Sequence, residues 1–348
     1  MSESILIIGA GGFGKALALV LSRAGHTVML AAHDYQQFAQ AQRDRVIALD
    51  AHSQHYSIPQ TLSVCWHQDI PKHDYAFIIL ATQTETLLDL PRLPLSRQTA
   101  IVSVQKGLLP NTQLLPYDFL VHRYSRHPVL LFTGAAFAKE LAAGAEVDML
   151  ISYEGDCAYS KAKQFRDLFH GTSVWPSLND DPAGTSILNA LRTIVSFQQG
   201  MVQGYLEQEG RPFHSTVAAI HPKIEYEAYA VACTLTDRDV YAPLSPQWIA
   251  WQADLRLCAR VESRNFRLGY QMMKGASVHQ AINQINHEDG VVECAGSIAA
   301  VYDRIRGQKP ELLEKLPHLT LSHQLMIGTL TPKEAAQRIR DRQRLRFD

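Results

Sequence analysis

The chain has 348 residues, with 33 Lys and Arg against 34 Asp and Glu, so its formal net charge is −1. This length accommodates two domains of ordinary size, and the near-neutral charge excludes a broad electrostatic surface for nucleic acid or an anionic membrane. The five cysteines are far apart and form no CxxC pair, which argues against disulfides and zinc and favours a reducing cytoplasm. We also expect no membrane span, because no apolar run approaches about 18 residues, and no signal peptide, because the N-terminus lacks a basic region.

Short apolar runs alternate with helical patterns through the first half of the chain. Strands that are apolar along their whole length and alternate with helices are typical of a parallel sheet covered on both faces. The pattern therefore predicts a Rossmann-like, doubly wound α/β domain over residues 1–182. The expected strands are ILIIG (5–9), HTVMLAA (26–32), YAFIILAT (75–82), AIVSVQKG (100–107), VLLFTGA (129–135) and VDMLISYEG (147–155).

The pattern becomes helical after a cluster of turn-forming residues at 177–184. Asp181 followed by Pro182 predicts an N-cap with proline at the first helical position. The last helix opens with TPKE, a capping box formed by Thr331 and Glu334. An all-helical second domain is thus expected over residues 183–348. The other expected helices cover 184–207, 221–237, 246–259, 263–274, 276–285 and 291–305.

A glycine-rich turn follows the first strand and opens the first helix. Gly9, Gly11 and Gly14 form a GxGxxG pattern within ILIIGAGGFGKALALVLSRAGHTVML. Gly9 allows the sharp turn, Gly11 lets the backbone approach a pyrophosphate, and Gly14 lets the helix pack against the strand. Phosphates then lie at the helix N-terminus, where free N–H groups favour anions. The motif within a βαβ unit predicts a dinucleotide cofactor.

The end of the second strand bears on the choice between NADP and NAD. NAD-specific sites usually place a carboxylate there for the ribose hydroxyls. This chain has Ala31 and Ala32 at that position, followed by His33. The imidazole favours binding of the 2'-phosphate of NADP, whereas the carboxylate of Asp34, the next residue, means that NAD remains a possible cofactor. The alternative role for Asp34 is to cap the following helix.

A single cation occupies the stretch SILNALRTIVSFQQGMVQG (186–204). We expect a long helix whose exposed stripe carries almost no charge apart from Arg192. Two interpretations follow from the residues alone. The guanidinium is either a solvated surface group or the working group of an active site.

Further motifs occur in a consistent order along the chain. They are QKG at 105–107, GAAFAKELAAG at 134–144, ADLRLC at 253–258, ESRNFRLG at 262–269 and VVE at 291–293. Together with the glycine-rich opening, these segments resemble the NAD(P)-dependent glycerol-3-phosphate dehydrogenases of the soluble bacterial type over nearly the whole chain. The corresponding family motifs are TKG, GPSFAKELAAG, GDLVLTC, QSRNRRFG and VVEG.

The resemblance implies hydride transfer between NADP or NAD and C2 of glycerol 3-phosphate or dihydroxyacetone phosphate. It further implies a small phosphorylated or anionic substrate and makes a homodimer possible. The near-neutral charge indicates no nucleic-acid or membrane partner, and the histidines show no metal-ligand spacing, so no metal is expected. The catalytic residues that it implies are Arg192, Lys106 and Asp254. The implied cofactor contacts are Gly9, Gly11, Gly12, Phe13, Gly14, His33, Lys106, Ala138, Arg264, Val291 and Glu293. The implied substrate contacts are Lys106, Gly134, Ala136, Arg192, Asp254, Ser263, Arg264 and Asn265.

The residues also support parts of this assignment independently. Lys106 follows a strand at the carboxyl end, where open α/β sheets bind ligands. Ser263, Arg264 and Asn265 stand at a helix start, where a hydroxyl cap, a guanidinium and free N–H groups suit phosphate. The alternatives are a solvated lysine, and simple N-capping beside a surface arginine.

The chain departs from the family at its expected catalytic centre. Arg192 stands where the family has its catalytic lysine, and Thr193 replaces the asparagine after it. Arginine stabilises an oxyanion but does not exchange a proton near neutral pH. Ala135 and Ala136 replace the family's proline and its Ser or Thr, which removes a hydroxyl facing the substrate. New residues are Lys223, His214 and His221, expected near the pocket, and Arg256.

Three functions remain open at this point. The first is a divergent glycerol-3-phosphate dehydrogenase in which Arg192 supplies charge, while water, Lys106 or Lys223 handles the proton. The second is a dehydrogenase of the same fold for another small anion, such as a keto acid gripped by Arg192. The third is an NADP-binding protein without catalysis.

Overall fold

The computed structural model describes residues 2–49, 55–90, 92–109, 114–211, 214–236 and 246–344. The strands are β1 (Ser4–Ile8), β2 (Thr27–Ala32), β3 (Val46–Ala48), β4 (His55–Ser57), β5 (Leu62–Trp66), β6 (Phe77–Leu80), β7 (Ala100–Ser103), β8 (Val129–Gly134), β9 (Val147–Ser152) and β10 (Val174–Asn179). The helices are α1 (Gly12–Arg23), α2 (Tyr35–Asp44), α3 (Pro116–Arg123), α4 (Ala138–Ala143), α5 (Gly155–Asp167), α6 (Pro182–Gln208), α7 (His214–Thr236), α8 (Pro246–Cys258), α9 (Arg264–Met273), α10 (Val278–Asp289), α11 (Cys294–Gln308), α12 (Pro317–Met326) and α13 (Pro332–Arg344). Short 3-10 turns cover Thr84–Leu87 and Pro310–Lys315.

Eight strands form one sheet in the order β10-β9-β8-β7-β6-β1-β2-β5, and β3 pairs with β4 in a separate two-stranded sheet. All neighbours in the large sheet are parallel except β8 and β9. The chain leaves the carboxyl end of β8, forms α4, and re-enters the sheet from that same edge, so β9 runs the opposite way. The predicted doubly wound α/β class is confirmed.

Successive residues of the central strands face opposite sides of the sheet, as the pleat requires. Ile5 and Ile7 of β1 pack into one apolar layer with α1 and α5. Leu6 and Ile8 pack into the layer on the other face, together with residues of α3. Burial on both faces explains why these strands are apolar at every position, and it confirms the six predicted strands.

Four of the described strands lie outside the predicted set. They are β3, β4, β5 and β10. β10 contains Pro176, which cannot donate a backbone hydrogen bond, and it is tolerated because β10 lies at the sheet edge. Trp175 of this strand is 61 % exposed, consistent with an edge position.

The described part of the chain after residue 181 consists of helices and the loops that join them, with no strand. Asp181 caps α6, since Gly184 N donates to its Oδ1 at 2.9 Å. Thr331 and Glu334 form the predicted capping box of α13 through Thr331 N to Glu334 Oε2 (2.8 Å) and Glu334 N to Thr331 Oγ1 (3.2 Å). The pattern missed α12.

The long helix α6 differs from expectation in one respect. Its residues from Ile187 to Leu206 are buried at every position except half-buried Gln203, so it has no exposed stripe there. The paucity of charge reflects a helix surrounded by protein. The solvated interpretation of Arg192 is therefore wrong, because this residue is only 7 % exposed.

The chain divides into two compact units. The strand-rich unit comprises residues 1–109, 114–186 and 243–253, and the helical unit comprises residues 110–113, 187–242 and 254–348. None of the described helices is both long and apolar enough to cross a membrane.

Candidate functional site

The glycine-rich turn of the strand-rich unit has the geometry of a phosphate cradle. Gly9 has φ +112°, and a Cβ there would lie 2.6 Å from the carbonyl carbon of Ala81. A Cβ on Gly14 would lie 2.0 Å from Gly9 O, so only glycine lets α1 start this close to β1. A Cβ on Gly11, by contrast, would meet nothing within 4 Å. This open backbone in front of the start of α1 fits a dinucleotide pyrophosphate.

The loop after β8 lies beside this turn. A Cβ added to Gly12 would come within 3.5 Å of Ala138 Cβ, which places the start of α4 next to the glycines. Phe13 is half-buried and packs against the apolar layer beneath α1, as does Ala136. Gly134 is required by the sheet, because a Cβ there would lie 2.6 Å from Asp148 O. The structure thus brings these expected contacts together in one unit.

The end of β2 lies close to the glycine turn, since Gly9 N donates to Ala31 O at 3.2 Å. His33 follows β2 and is exposed. Asp34 caps α2, because its Oδ1 accepts from Gln37 N at 3.0 Å. The capping alternative for Asp34 is therefore confirmed.

Lys106 lies in the loop after β7, at the carboxyl edge of the same sheet. Its backbone oxygen accepts from Thr84 Oγ1 at 2.6 Å, and its side chain is half-buried. The preceding Gln105 accepts from Ser103 Oγ at 2.6 Å and donates to Thr82 Oγ1 at 3.3 Å. These contacts hold the loop that carries the lysine.

A buried ion pair forms the centre of the site in the helical unit. Arg192 of α6 points at Asp254 of α8, and their side chains are only 9 % and 5 % exposed. Nη1 lies 3.3 Å from Asp254 Oδ1. Nε lies 3.1 Å from Oδ2, although the angle falls short of hydrogen-bond geometry. The carboxylate therefore faces two nitrogens of the guanidinium and fixes its plane.

Cys258 is a third member of this centre. Arg192 Nη1 donates to its Sγ at 2.6 Å, and the thiol donates to Asp254 Oδ1 at 3.4 Å. Asp254 and Cys258 are four residues apart, so they share one face of α8. Arg256 lies between them in sequence and is exposed, as the helical period requires. The sequence reasoning missed Cys258, although its spacing from Asp254 was a usable signal.

Glu293 extends the charge network beyond the buried pair. Its carboxylate lies 4.0 Å from Arg192 Nη2 and 3.7 Å from Arg264 Nη2. The side chains of Glu293 and Arg264 are 35 % and 36 % exposed, so this end of the network reaches solvent. Val291 is half-buried two residues away.

Asn265 and Ser263 sit at the start of α9 and are both buried. Asn265 Oδ1 accepts from Cys294 N at 3.0 Å and thus ties α9 to the start of α11. Ser263 is the N-cap residue of α9, but its hydroxyl makes no capping bond, which corrects the predicted hydroxyl cap. Its Oγ instead lies 3.0 Å from Ser196 Oγ, which donates to Cys258 O at 2.7 Å.

The protonation state of Arg192 follows from these neighbours. Burial by itself lowers the pKa of the guanidinium. The charges of Asp254 and Glu293, together with the hydrogen bond to Cys258, more than offset this effect, and the pKa lies above its ordinary value. Arg192 is therefore a permanent cation at any physiological pH.

The three residues expected near the pocket, His214, His221 and Lys223, all lie on α7. The ion pairs and hydrogen bonds of Arg192 in the described chain involve Asp254, Cys258 and Glu293 alone. His214 and Lys223 are exposed and half-buried, respectively. Burial lowers the pKa of His221 to about 4, so this imidazole is neutral. No cluster of metal-binding side chains occurs among the residues that the structure describes.

Two family models match the chain. The N-terminal model of the NAD-dependent glycerol-3-phosphate dehydrogenases matches residues 4–157, and the C-terminal model matches residues 181–337. A curated relative from Francisella philomiragia, named glycerol-3-phosphate dehydrogenase (NAD(P)+), is 26% identical over 99% of this chain and 98% of its own length. A relative of the same name from Escherichia coli is 29% identical over 82% of this chain and 81% of its own.

Solved structures agree at the level of the fold. Glycerol-3-phosphate dehydrogenase from Coxiella burnetii has a TM-score of 0.79 at 20% sequence identity, covering 97% of this chain and 98% of that one. The enzyme from Plasmodium falciparum has a TM-score of 0.80 at 13% identity, covering 97% and 94%. A ketopantoate reductase from Ralstonia eutropha has a lower TM-score of 0.60 at 16% identity, covering 96% and 99%. Of the three functions left open by the sequence, the comparisons support the first. The chain belongs to the NAD-dependent glycerol-3-phosphate dehydrogenase family, whose members are NAD(P)-dependent dehydrogenases that act on a CH–OH group.

Proposed function

We propose that this chain interconverts dihydroxyacetone phosphate and sn-glycerol 3-phosphate, with Arg192 holding the oxygen at C2. The observation that carries the proposal is the buried pair of Arg192 and Asp254, at the position of the family's catalytic lysine and its carboxylate partner. When bound, the nicotinamide coenzyme supplies or accepts the hydride. The residues of the chain bind and orient the substrate and stabilise the charge that develops on its C2 oxygen.

Arg192 stabilises the negative charge that develops on the C2 oxygen. Its Nε and Nη1 face Asp254 and Cys258, while Nη2 lies 4.0 Å from the half-exposed Glu293. Because Asp254 fixes the guanidinium plane, this cation is preorganised before substrate arrives, which is the condition for strong electrostatic stabilisation. Its raised pKa means that it contributes charge and not a proton.

The proton for the C2 oxygen must therefore come from another donor. We assign it to water, Lys106 or Lys223, as the departure from the family lysine requires. Lys106 is held by the loop contact between its backbone oxygen and Thr84. Substitution of each lysine by methionine tests these donors. Loss of the proton donor should lower kcat and change its pH profile, whereas loss of a binding contact alone should mainly raise KM.

The substrate phosphate is assigned to Arg264, Asn265 and Ser263, with Lys106, Gly134 and Ala136 as the remaining substrate contacts. Arg264 supports this role because it is half-exposed and can donate two parallel hydrogen bonds to phosphate. The coenzyme is assigned to the glycine turn, Phe13, His33, Lys106 and Ala138, and to Arg264, Val291 and Glu293 of the helical unit. The open backbone at Gly11 supports the first of these assignments.

We further propose that residues 1–182 form the dinucleotide-binding domain and residues 183–348 the substrate domain. The protein is assigned to the cytoplasm, in keeping with its free cysteines. A homodimer is proposed through the helical unit, where Tyr226, Val261 and Ile327 are exposed apolar side chains. Light scattering of the purified chain tests the dimer.

The proposed reaction is tested by coenzyme oxidation with dihydroxyacetone phosphate and with a panel of 2-keto acids. We expect turnover with dihydroxyacetone phosphate and none with the keto acids. Arg192→Met should lower kcat/KM by about 100-fold or more, the usual loss for a buried oxyanion donor. Arg256→Met, an exposed arginine on α8, is the matched control and should change little. Turnover confined to keto acids, or none with any substrate, would reject the proposal.

The pH profile of Arg192→Lys tests the assignment of charge without proton transfer. A lysine has an ordinary pKa near about 10.4, well below that of arginine, so at the same position it loses its charge at a lower pH. The variant should therefore lose kcat/KM at alkaline pH, as its cation is neutralised, while Arg192 stays charged. If kcat/KM fell in the same way at alkaline pH in both proteins, the charge of this residue would not be used in the reaction.

A further inference from the structure

Aromatic side chains converge where β2 and β5 end. The rings of His33 and His67 lie 4.6 Å apart between centroids, and Trp66 lies 4.6 Å from His67. Tyr35 packs its ring edge-on against Trp66 at 5.7 Å and is itself 66 % exposed. The two imidazoles thus lie at adjacent strand ends and pack beside the ring of Trp66, which in turn contacts Tyr35.

Backbone hydrogen bonds fix this pair beside the glycine turn. Ala32 of β2 is paired with Trp66 of β5, and His67 N donates to Ala32 O at 2.9 Å. Ala31 accepts from Gly9 N at 3.2 Å. His33 therefore lies two residues from the residue that contacts the turn, on the edge of the sheet where ligands bind.

The last two residues of β2 carry no carboxylate for ribose hydroxyls. Ala31 and Ala32 occupy the last two positions of β2, and the Asp34 carboxylate is engaged by Gln37 N at the start of α2. A pair of imidazoles is a donor set for an anion, because a protonated imidazole donates charge-assisted hydrogen bonds to phosphate. The local chemistry therefore favours a phosphate on the ribose over free hydroxyls.

We propose that His33 and His67 together bind the 2'-phosphate of NADP, so that this chain prefers NADP over NAD at and below neutral pH. The inference rests on the proposed function only in taking the glycine turn as a dinucleotide site. His67 was not predicted from the sequence, because it follows β5, a strand that the apolar pattern did not indicate.

The sign of the pH dependence follows from the groups around the pair. Burial, and then His33, lower the pKa of His67, so this imidazole is mostly neutral when the site is empty. A 2'-phosphate carries nearly two negative charges near neutral pH and favours both protonated rings. Affinity for NADP should therefore rise as pH falls, whereas affinity for NAD should not.

Other titratable groups near the pair do not reverse this sign. Asp69 raises the pKa of His67, but less than burial and His33 lower it. Burial raises the pKa of Cys65 to about 11, so this thiol is neutral. Lys15 of α1 donates to Gln37 and to Ala48 O, at 2.7 Å in each case. Asp34 and Tyr35 are the remaining titratable groups at the start of α2.

The test is calorimetric titration of the full chain with NADP+ and NAD+, without substrate, at pH 6.5 and at pH 8.0. The lower value equals the ordinary imidazole pKa of about 6.5, and at the higher value an ordinary imidazole is neutral. We expect tighter binding of NADP+ at the lower pH and a preference that falls at the higher pH. His33→Asn and His67→Asn should each reduce the NADP+/NAD+ preference by about tenfold, the loss of one hydrogen bond to a charged group. Binding of NAD+ should be unchanged.

His73→Asn is the matched control. His73 is an exposed histidine that precedes β6 and so lies at the opposite edge of the sheet. Equal affinity for both coenzymes, a preference independent of pH, or an equal effect of His73→Asn would overturn the inference. Because no turnover is measured, a chain that binds NADP+ as expected but fails to reduce dihydroxyacetone phosphate would contradict the proposed function and leave this inference intact.

Discussion

Arg192 shows how one substitution can keep a charge and change its chemistry. A guanidinium buried to 7 % exposure loses its hydration, which is tolerated only if a partner charge and hydrogen bonds replace water. Asp254, Cys258 and Glu293 provide that replacement. The same carboxylate that keeps Arg192 charged also holds it in one orientation.

Removing the partner charge should therefore destabilise the fold. We expect Asp254→Asn, which keeps the shape of the side chain, to lower the free energy of unfolding by about 3–5 kcal/mol, because it leaves a buried cation without a counter-ion. Urea unfolding followed by circular dichroism measures this change. The control is Asp167→Asn in the exposed pair with Arg166, which should change stability by less than about 0.5 kcal/mol. If Asp254→Asn lowered the free energy of unfolding by no more than the control does, Arg192 would not be held by this ion pair.

At the residue scale, the sequence could predict what lies within one motif. The glycine turn is encoded in six consecutive residues, and the close backbone contacts at Gly9 and Gly14 agree with the roles that their spacing predicts. The pairing of Arg192 with Asp254 joins residues 62 apart in sequence, and only the family resemblance pointed to it. Ser196 could not be predicted, because no local pattern marks a residue that contacts a distant element, whereas Cys258 was missed although it lies four residues from Asp254. Ser263 was predicted to cap α9 through its hydroxyl, but this hydroxyl contacts Ser196 Oγ instead.

Close contact between α6 and α9 depends on glycines from both helices. A Cβ on Gly200 would lie 2.0 Å from Phe266 O, and a Cβ on Gly269 would lie 2.1 Å from Phe197 O. Both distances are shorter than any tolerated contact, so the helix backbones could not remain this close. The contact in turn sets the position of α6, which carries Arg192, relative to α9, which starts at Arg264.

Gly200→Ala should lower the free energy of unfolding by about 1–3 kcal/mol or more, because the added methyl group overpacks the contact with backbone atoms. Gly296→Ala on α11 is a matched control, since a Cβ there meets nothing within 4 Å. That substitution should be neutral or stabilise the protein by up to about 1 kcal/mol, the helix preference of alanine over glycine. Thermal and urea unfolding compare the two variants. If both alanines have the same effect, α6 and α9 are not in the contact described.

The elements that the sequence missed share a physical cause. β5 alternates buried and exposed side chains only over its first residues, and β10 contains a proline, so neither has the uniform apolar run of a central strand. Both lie at edges of the sheet, where burial on two faces is not required. The six predicted strands are mostly apolar and buried because they are covered on both faces of the sheet. For α6 the period was recognised, but the pattern could not show that the helix is surrounded by protein.

At the scale of the whole molecule, the predicted site residues fall into two groups. The glycine turn, His33, Lys106, Gly134, Ala136 and Ala138 belong to the strand-rich unit, and Arg192, Asp254, Ser263, Arg264, Asn265, Val291 and Glu293 belong to the helical unit. With a net charge of −1, the molecule has no long-range field that would attract an anionic substrate. Selectivity must therefore come from local cations, of which Arg192 is buried and Arg264 is half-exposed.

The proposed reaction is tested most directly by following the transferred hydrogen. NADPH carrying two deuterium atoms at C4 is incubated with the purified chain and dihydroxyacetone phosphate, and the product is analysed by mass spectrometry and NMR. We expect sn-glycerol 3-phosphate with one deuterium atom on C2. Recovery of unchanged dihydroxyacetone phosphate, or of a product without deuterium, would contradict hydride transfer by a site in which Arg192 replaces the family lysine.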